Sequence, residues 1–384
     1  MPTKTEQDML AWLAGQRGEM IALLEKLVNT DGGSYDKAGV DQVGAHLRGF
    51  LEGEGIACET IPNQTFGDAL RATIGGESNT AIVLMGHRDT VFPKGEPTRR
   101  PFRIENGRAY GPGVCDMKAG LVMNAFVLAA FKRFGGAPAP LVGLFTSDEE
   151  IGSPSSRPVI EAEARRARAV FNSEPGRPSG AVVTGRKGGV FSKMTITGKA
   201  AHSGGNFAEG ISAIEELARK TIALHALTDL TRGITVNVGL ISGGQTVNTV
   251  APWAKAEIDL RFVTKADRDE AMAKIQRIVD TAHVPGTTAT LEISGEFLPL
   301  VESDENKRLF QHYAACAQDI GSTVEGEFTG GCADSGFSSS VGAPTICAVG
   351  PIGGKAHTPE EWLEVDSMVP RAQSLALAVA RLGS

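Results

Sequence analysis

Four short apolar runs constrain the fold more than any other feature of this sequence. Each is three to five residues long, contains no charged side chain and leads into a segment with glycine or polar residues. The runs are Ala81–Met85, Leu141–Phe145, Ala169–Phe171 and Thr345–Val349. Such runs are typical of strands that are buried on both faces of a mostly parallel sheet. Leu121, Ala125 and Leu128 recur at helical spacing between the first two runs, so the sequence predicts an α/β layer structure.

The sequence between residues 187 and 297 has a different order of predicted secondary-structure elements. It predicts strand Phe191–Thr197, helix Ile211–Leu224, strands Ile234–Ile241 and Ala254–Phe262, helix Asp267–Ala282 and strand Thr287–Ile293. This order is the ferredoxin-like split βαβ pattern. Because α/β elements resume afterwards with helix Asn306–Gln318, we expect one domain formed by residues 1–186 and 298–384, with residues 187–297 inserted into it. Residues up to Gly53 predict two amphipathic helices.

Size and composition exclude several classes of protein. At 384 residues the chain is longer than one core usually supports, and 41% hydrophobic with 22% charged residues is an ordinary globular composition. A formal net charge of −7 makes nucleic acid and anionic membranes poor partners. The five cysteines include no CxxC pair, which favours reduced thiols in the cytoplasm. We expect no signal peptide and no stretch long enough to span a membrane.

Acidic and histidine side chains gather where the predicted strands end. They are His87, Asp89, Asp148, Glu149, Glu150, Glu174 and His357, joined by Asp116 from a loop that leads into a helix. Open α/β sheets place their sites at the carboxyl ends of strands. Imidazoles mixed with carboxylates suit zinc, and a pair of ions about 3.5–4 Å apart needs a bridging carboxylate, further ligands and an open position for water. An acid beside a ligand, as in Glu149–Glu150, can take the proton of that water.

Seven strings carry a resemblance that covers nearly the whole chain. They are GHRDTVF from Gly86, GPGVCDMKAG from Gly111, TSDEEIGS from Thr146, FNSEP from Phe171, GKAAHSGG from Gly198, TGGCADSGF from Thr329 and GGKAHT from Gly353. Together they resemble the zinc-dependent aminoacylase, acetylornithine deacetylase and glutamate carboxypeptidase family, in particular the bacterial glutamate carboxypeptidases. The resemblance implies a mostly parallel-sheet zinc-hydrolase catalytic domain with an inserted ferredoxin-like α+β lid and dimerisation domain.

The resemblance also implies a ligand set for two Zn²⁺ ions per subunit, with Co²⁺ or Mn²⁺ as substitutes. Asp116 would bridge the ions. His87 and Glu174 would complete one site, and Glu150 and His357 would complete the other.

Further residues receive roles from the same resemblance. Asp89 would orient His87, which a carboxylate two residues along the same strand end can do by fixing the imidazole tautomer. Glu149 would be the general base and acid. His202 of the inserted domain would reach into the partner subunit's site and polarise the scissile carbonyl, which makes a homodimer functional.

A second set of residues would hold the free carboxylate of the substrate. Arg261 and Asn248 resemble the residues that bind it, and a guanidinium makes the paired hydrogen bonds that a carboxylate needs. Gly330 and Gly331 would let backbone N–H groups approach the same anion. Arg88 occupies a position that is often apolar or small in relatives, so we expect it to extend into the substrate cleft or to reach solvent. Arg186 is expected to be a solvated charge.

Three functions remain open at this point. The first is a metallocarboxypeptidase that cleaves an amide or short-peptide bond next to a C-terminal amino acid, as glutamate carboxypeptidases do. The second is an N-acyl-amino-acid deacylase, which differs only in whether the acyl part is itself an amino acid. The third is a non-catalytic binding protein on this scaffold, which the complete ligand set and the intact Glu149 argue against.

Overall fold

The structure of the chain, a computed structural model, describes residues 2–75 and 80–382. It divides into two compact units. The first comprises Met1–Gly185, Leu300–Thr329 and Ala333–Ser384, and the second comprises Arg186–Pro299 and Gly330–Cys332. The predicted domains, a catalytic domain of residues 1–186 and 298–384 and an inserted lid and dimerisation domain of residues 187–297, stay predictions.

The described residues form the following elements in chain order. The helices are α1 Lys4–Gly15, α2 Arg17–Val28, α3 Lys37–Gly53, α4 Glu96–Arg99, α5 Ala119–Arg133, α6 Arg157–Ala164, α7 Ala213–His225, α8 Lys265–Asp280, α9 Asp304–Asp319, α10 Ser335–Ser340 and α11 Met368–Ala380. The strands are β1 Ala57–Ile61, β2 Ala69–Ile74, β3 Ala81–His87, β4 Arg103–Glu105, β5 Arg108–Tyr110, β6 Leu141–Thr146, β7 Ala167–Asn172, β8 Val182–Arg186, β9 Gly188–Thr197, β10 Thr235–Gly243, β11 Trp253–Phe262, β12 Thr288–Phe297, β13 Gly326–Thr329, β14 Thr345–Cys347, β15 Gly353–Gly354 and β16 Trp362–Glu364.

The main sheet of the first unit has the order β1-β2-β6-β3-β7-β14-β8-β13 within the described residues. Strand β3 pairs in parallel with both β6 and β7, and β14 pairs in parallel with β7. Every residue of β3 and β6 is buried, as the uninterrupted apolar runs require. The predicted mostly parallel α/β sheet is therefore confirmed. The antiparallel pair β1 and β2 was not predicted, because its strands lack such a run.

Helix α5 forms the centre of the first unit's core. Residues 119 to 131 are all buried, since apolar residues occupy every face of the helix. The longer segment Val114–Arg133 contains an 18-residue window with a mean hydropathy of 1.6, so it is long and apolar enough to cross a membrane by length and composition only. The expectation that no stretch is long enough is therefore wrong for this segment. Its apolar window is 100% buried, which is the position of a core helix.

The N-terminal segment forms three helices where the sequence analysis predicted two. Helices α2 and α3 match the predicted apolar patterns, but α1 was missed. A capping box between Thr3 and Glu6 begins α1, and Met9 and Leu13 are buried on its inner face. The capping box is a signal in the sequence that could have identified this helix.

The second unit has an antiparallel sheet with the order β10-β11-β9-β12. With α7 between β9 and β10, and α8 between β11 and β12, this is the predicted βαββαβ arrangement. Alternate residues of β11 are buried, because successive side chains of a strand point to opposite faces. The buried residues are Ala254, Ala256, Ile258, Leu260 and Phe262.

A buried ion pair joins the two helices of this unit. Lys220 and Glu216 lie one turn apart on α7, with their charged atoms 2.9 Å apart and side-chain exposures of 1% and 0%. The Lys220 ammonium also donates to the carbonyls of Ile278 and Val279 in the last turn of α8 and of Thr281 directly after it. Glu216 accepts backbone N–H groups from the segment that follows, at residues 283 and 284. The pair therefore satisfies backbone groups that α8 leaves open at its C-terminus.

Replacing Lys220 with methionine should destabilise the chain by about 3–5 kcal/mol, because it leaves the Glu216 charge buried without its partner. The midpoint of urea unfolding, followed by circular dichroism, measures this change. Arg219→Met is the matched control, because Arg219 pairs with Glu215 on the exposed face of the same helix. Equal midpoints for the two variants would contradict a structural role for the buried pair.

Candidate metal centre

Three neighbouring parallel strands bring the predicted site together. The register places His87, the last residue of β3, opposite Thr146 at the end of β6. Strand β7 runs on the other side of β3 and ends two residues before Glu174. Because the carboxyl ends of parallel strands meet at one sheet edge, the residues that follow these strands are close in space.

Two groups of possible ligands overlap at one carboxylate. His87, Asp116 and Glu174 form the first group, and Asp116, Glu150 and His357 form the second, with ligand atoms in each group within 4.8 Å of one another. His87 Nε2 lies 3.3 Å from Asp116 Oδ1, and His357 Nε2 lies 3.3 Å from Asp116 Oδ2. Each oxygen of Asp116 therefore faces a different histidine, which is the geometry of a bridging ligand.

The ligand atoms of the site are arranged to bind divalent cations rather than to satisfy one another by hydrogen bonds. Among the described residues, His87 Nε2 and Glu150 Oε1 are buried without a hydrogen-bond partner. Carboxylate oxygens of Asp116, Glu174 and Glu149 surround His87 Nε2 at 3.3, 3.6 and 3.9 Å. Mixed imidazole and carboxylate donors of this kind suit zinc and similar ions.

The pKa values of the site residues also indicate a site for cations. Burial and the neighbouring Asp116 carboxylate raise the pKa of Glu150 to about 7. Hydrogen bonds that the His357 ring donates to the carboxylates of Asp116 and Glu150 raise the pKa of His357 to about 10. Burial lowers the pKa of His87, but Glu149 and the other carboxylates raise it more, so that it lies well above its usual range. The site is a concentration of buried negative charge that cations would stabilise.

Asp89 links the first histidine to the turn that carries the two glutamates. Its carboxylate is fully buried, lies 3.4 Å from His87 Nδ1 and accepts the backbone N–H groups of Glu149 and Glu150 at 3.1 Å. The Asp89 carbonyl oxygen is 3.0 Å from the same Nδ1. A proton held on Nδ1 by these oxygens leaves the Nε2 lone pair for a ligand bond. This geometry supports the predicted orienting role of Asp89.

Glu149 lies next to the ligands but belongs to neither group of possible ligands. It is 7% exposed, and its carboxylate is 3.9 Å from His87 Nε2. Burial and the neighbouring Glu174 carboxylate raise the pKa of Glu149 well above its usual range. A buried acid beside the ligands is placed as a proton acceptor requires.

Glu361, which the sequence did not single out, holds the loop of Asp116. The Glu361 carboxylate is fully buried and accepts the backbone N–H groups of Gly113, Cys115 and Asp116 at 2.8–3.0 Å. Burial raises the pKa of Glu361 to about 7. A glutamate four residues after His357 was the available signal, but exposed acids are common after such a loop, so sequence alone did not single it out.

Asp334 lies in the string TGGCADSGF, where the sequence predicts no role for it, and the structure shows its contacts. Its carboxylate accepts hydrogen bonds from Ser153 and from Thr146 Oγ1, which join the end of β6 to the N-terminus of α10. Burial raises the pKa of Asp334 to about 7. Asp334 therefore helps to fix the turn that contains Glu149.

Arg88 does not reach solvent, so that alternative of the expectation is wrong, and its extension into a substrate cleft stays a prediction. It is 2% exposed, and it donates to the carbonyls of Thr146 at 3.3 Å and Val40 at 3.2 Å. A Cβ on Gly44 would lie 1.8 Å from Arg88 Nη1, so a larger residue at this position of α3 would displace the Arg88 guanidinium. Burial lowers the pKa of Arg88 to about 10.

The remaining predicted residues lie in the second unit. His202 is exposed, and its Nδ1 accepts the N–H groups of Gly204 and Gly205 at 3.1 and 3.0 Å, which leaves the proton on Nε2. Asn248 is exposed beside it, and its carbonyl oxygen accepts the N–H of Ser203 at 3.0 Å. Their roles toward a substrate stay predictions.

Arg261 is held by three neighbours within the second unit. Its Nε donates to Asp259 at 2.8 Å, its Nη1 donates to Cys332 Sγ at 2.7 Å, and its guanidinium lies 5.1 Å from the centre of the Phe191 ring. Such contacts fix the guanidinium plane in one orientation.

Arg186 is buried against the loop that contains Gly330 and Gly331, which also belongs to the second unit. The expectation that Arg186 is a solvated charge is therefore wrong. Arg186 is 7% exposed and donates to the carbonyls of Gly331 and Cys332 at 3.2 Å. Arg186 thus fixes the backbone of the glycine loop, whose binding role stays a prediction.

Comparisons with known proteins identify relatives of this chain. Residues 83–381 match the family model described as peptidase family M20/M25/M40. The chain is 28% identical over 372 residues to carboxypeptidase G2 of Pseudomonas sp. (strain RS-16), covering 95% of this chain and 89% of that protein. It is 27% identical over 380 residues to the acetylornithine deacetylase of Edwardsiella ictaluri (strain 93-146), covering 92% and 95%.

Solved structures share the fold. An M20 family metallo-carboxypeptidase from Sulfolobus solfataricus superposes with a TM-score of 0.80 at 18% identity, covering 95% of this chain and 99% of that one. A dinuclear metal binding peptidase of the M20 family from Bacillus subtilis superposes with a TM-score of 0.68 at 16% identity, covering 96% and 98%.

Asp116→Ala should remove both ions, because both groups of ligands share this carboxylate. Glu174→Gln should lose the first ion and keep the second. Metal content per chain, measured by inductively coupled plasma mass spectrometry after dialysis against zinc and then buffer, distinguishes the variants. Glu149→Gln is the control and should keep the wild-type content. An Asp116→Ala chain that retains two ions would refute the shared ligand.

Proposed function

The chain belongs to peptidase family M20/M25/M40, and from this premise we propose that it is a zinc-dependent carboxypeptidase that releases a C-terminal amino acid, glutamate first among them. The observation that carries the proposal is the pair of overlapping ligand groups at Asp116, with the non-ligating acid Glu149 beside them. The relative named carboxypeptidase G2 supports a free-carboxylate leaving group. N-acyl-amino-acid deacylation is the second candidate, favoured by the relatives named acetylornithine deacetylase.

His87, Asp116 and Glu174 would hold one ion, and Asp116, Glu150 and His357 the other. When bound, the ions supply Lewis acidity that lowers the pKa of water and polarises a carbonyl. Glu149 accepts the proton of the attacking water on its carboxylate and returns it to the nitrogen of the leaving amino acid. Asp89 keeps the His87 ring in one tautomer throughout the cycle.

Arg261 is the proposed anchor of the substrate carboxylate. Asp259 and Cys332 occupy Nε and Nη1, so Nη2 is the guanidinium nitrogen that these two contacts leave for a carboxylate. Asn248 and the N–H groups at Gly330 and Gly331 would complete the anchor. Contacts of this kind are present in both the ground and transition states and lower the Michaelis constant more than they raise turnover.

We also propose that the active form is a homodimer in which His202 serves the partner subunit's site. Strand β10 is an edge of the second unit's sheet, and Leu240 and Ile241 on it are 62% and 69% exposed. Ile222 on α7 is 75% exposed. Exposed apolar residues on an edge strand and an adjoining helix are typical of a surface that pairs with another chain.

Zinc-loaded enzyme should release free amino acids from N-acyl, N-benzoyl and dipeptide libraries ending in each amino acid, with glutamate at the top of the products detected by mass spectrometry. Glu149→Ala should reduce turnover by about 10²–10⁴-fold at unchanged metal content, because it removes proton transfer only. Turnover of simple acetyl substrates alone would favour the deacylase. No turnover by fully metallated protein would refute both candidates and revive a binding protein.

Mixing His202→Ala with Glu149→Ala subunits should restore part of the activity. A heterodimer then contains one site with both groups intact. The His202→Ala parent lacks an oxyanion donor, which costs about 10²–10³-fold in turnover, and the Glu149→Ala parent lacks the proton acceptor, which costs about 10²–10⁴-fold. Subunit exchange is verified by native mass spectrometry before the assay. If exchanged mixtures stay as inactive as the parents, His202 acts within its own chain or has a structural role.

A further inference from the structure

A cavity of about 170 Å³ lies in the first unit between α3 and the antiparallel strands β1 and β2. The polar residues of its lining are Asp41, Arg48, Thr60, Asp68 and Arg88. Among the described residues, none that lines this cavity belongs to the two groups of metal ligands. Since a water molecule takes up about 30 Å³ of liquid, the cavity is large enough for a small oxyanion of four or five heavy atoms.

Arg88 brings to this cavity a buried positive charge that its hydrogen-bond partners do not compensate. The side chain is 2% exposed, and its Nε and Nη1 donate to the carbonyl oxygens of Thr146 and Val40, which carry no net charge. Within the described part of the chain, Arg88 Nη2 is buried and has no hydrogen-bond partner. A guanidinium stays protonated at neutral pH, and a buried charge is costly unless it is paired. Arg88 therefore calls for a counter-ion.

The two aspartates of the lining are engaged elsewhere. Lys37 Nζ is 2.8 Å from Asp41 Oδ2 and 2.6 Å from Asp68 Oδ1, and Asp41 Oδ1 accepts the backbone N–H of Asp68 at 2.7 Å. Three of the four oxygens of these carboxylates thus have partners other than Arg88. Burial lowers the pKa of Arg88 to about 10 although the charges of Asp41, Asp89 and Asp68 raise it, so these acids compensate the guanidinium only in part.

Arg48 and Thr60 add further donors to the same cavity. Arg48 Nη2 donates to Thr60 Oγ1, and the hydroxyl hydrogen of Thr60 can rotate towards another acceptor. Arg48 is 35% exposed, and its Nε is 3.8 Å from the exposed Glu52 carboxylate, a weak pairing that an anion can replace. Two guanidinium groups and a hydroxyl on different elements suit a tetrahedral oxyanion, whose oxygens accept hydrogen bonds in several directions.

We propose that this cavity binds a small oxyanion, such as inorganic phosphate or sulfate, as the counter-ion of Arg88. Arg88 Nη2 donates to the anion, and Arg48 and Thr60 complete its contacts. The backbone N and the Nε of Arg88 both donate to Thr146 O at the end of β6, so an anion that holds Arg88 stabilises the strand end that leads to the Glu149–Glu150 turn. The site goes beyond the proposed function, because it concerns the stability of the first unit and not the bond that is cut.

Isothermal titration calorimetry of the zinc-loaded chain with sodium phosphate measures this binding, with sodium chloride at equal ionic strength as the reference for screening. Arg48→Met should bind phosphate at the cavity at least about 10-fold more weakly than the wild type, because a charge-assisted contact is lost. Phosphate that binds at the zinc ions is unaffected, since Arg48→Met keeps every metal ligand. Arg157→Met is the matched control and should keep the wild-type affinity, because Arg157 is 36% exposed and pairs with Glu161 one turn along α6.

Urea unfolding gives a second readout of the same site. Phosphate should raise the unfolding midpoint of the wild type and of Arg157→Met more than that of Arg48→Met, because a ligand of the folded chain stabilises it by mass action. Arg88→Met removes the charge that needs the anion, and its midpoint should respond to phosphate no more than that of Arg48→Met. Should Arg88→Met not fold, the comparison of Arg48→Met with Arg157→Met decides.

Crystals soaked in sodium selenate locate the anion directly by diffraction at the selenium absorption edge. A peak within hydrogen-bond distance of Arg88 Nη2 is the expected result. Water alone in the cavity would overturn the proposal, as would equal phosphate affinities of the wild type and Arg48→Met, which would place all bound phosphate at the zinc ions. A selenate peak without measurable phosphate binding in solution would mean binding at crystal concentration only and would also overturn it.

Discussion

The concentration of buried carboxylates around Asp116 is the constraint on which the site depends. Each of the carboxylates of Asp116, Glu149, Glu150 and Glu174 lies within 4 Å of the imidazole of His87 or His357. Like charges held this close in a dry environment oppose folding unless protons or cations neutralise them. A metal centre resolves that conflict, because cations stabilise the carboxylates in the ionised form that catalysis requires. The fold around the site is arranged to keep the ligands in place.

Three supporting contacts show how this arrangement is built. Glu361 holds the loop of Asp116 through three backbone N–H groups, and Asp89 holds both His87 and the Glu149–Glu150 turn. Close packing positions the loop that carries Glu174. A Cβ on Gly120 would lie 2.0 Å from Ser173 O and would push α5 away from this loop. The ligands are thus positioned by buried backbone contacts, which tolerate little movement.

The sequence predicted what depends on local pattern. Uninterrupted apolar runs identified β3, β6 and β7, and the polar residues directly after them identified His87, Glu149 and Glu174. Glu361 could not be found in this way, because its partners are backbone groups 245–248 residues away in the chain. The burial of Arg88 was hidden for a related reason, since its partners Val40 and Thr146 lie on other elements and the space for it depends on Gly44. Residues whose role depends on contacts with distant backbone groups produce no periodic pattern in the sequence, so sequence alone does not identify them.

Anomalous X-ray diffraction at the zinc absorption edge tests the central claim most directly. The account predicts two peaks about 3.5–4 Å apart. One should lie beside His87 and Glu174, the other beside Glu150 and His357, each next to a different oxygen of Asp116. A single peak, or two peaks that do not share Asp116, would contradict it.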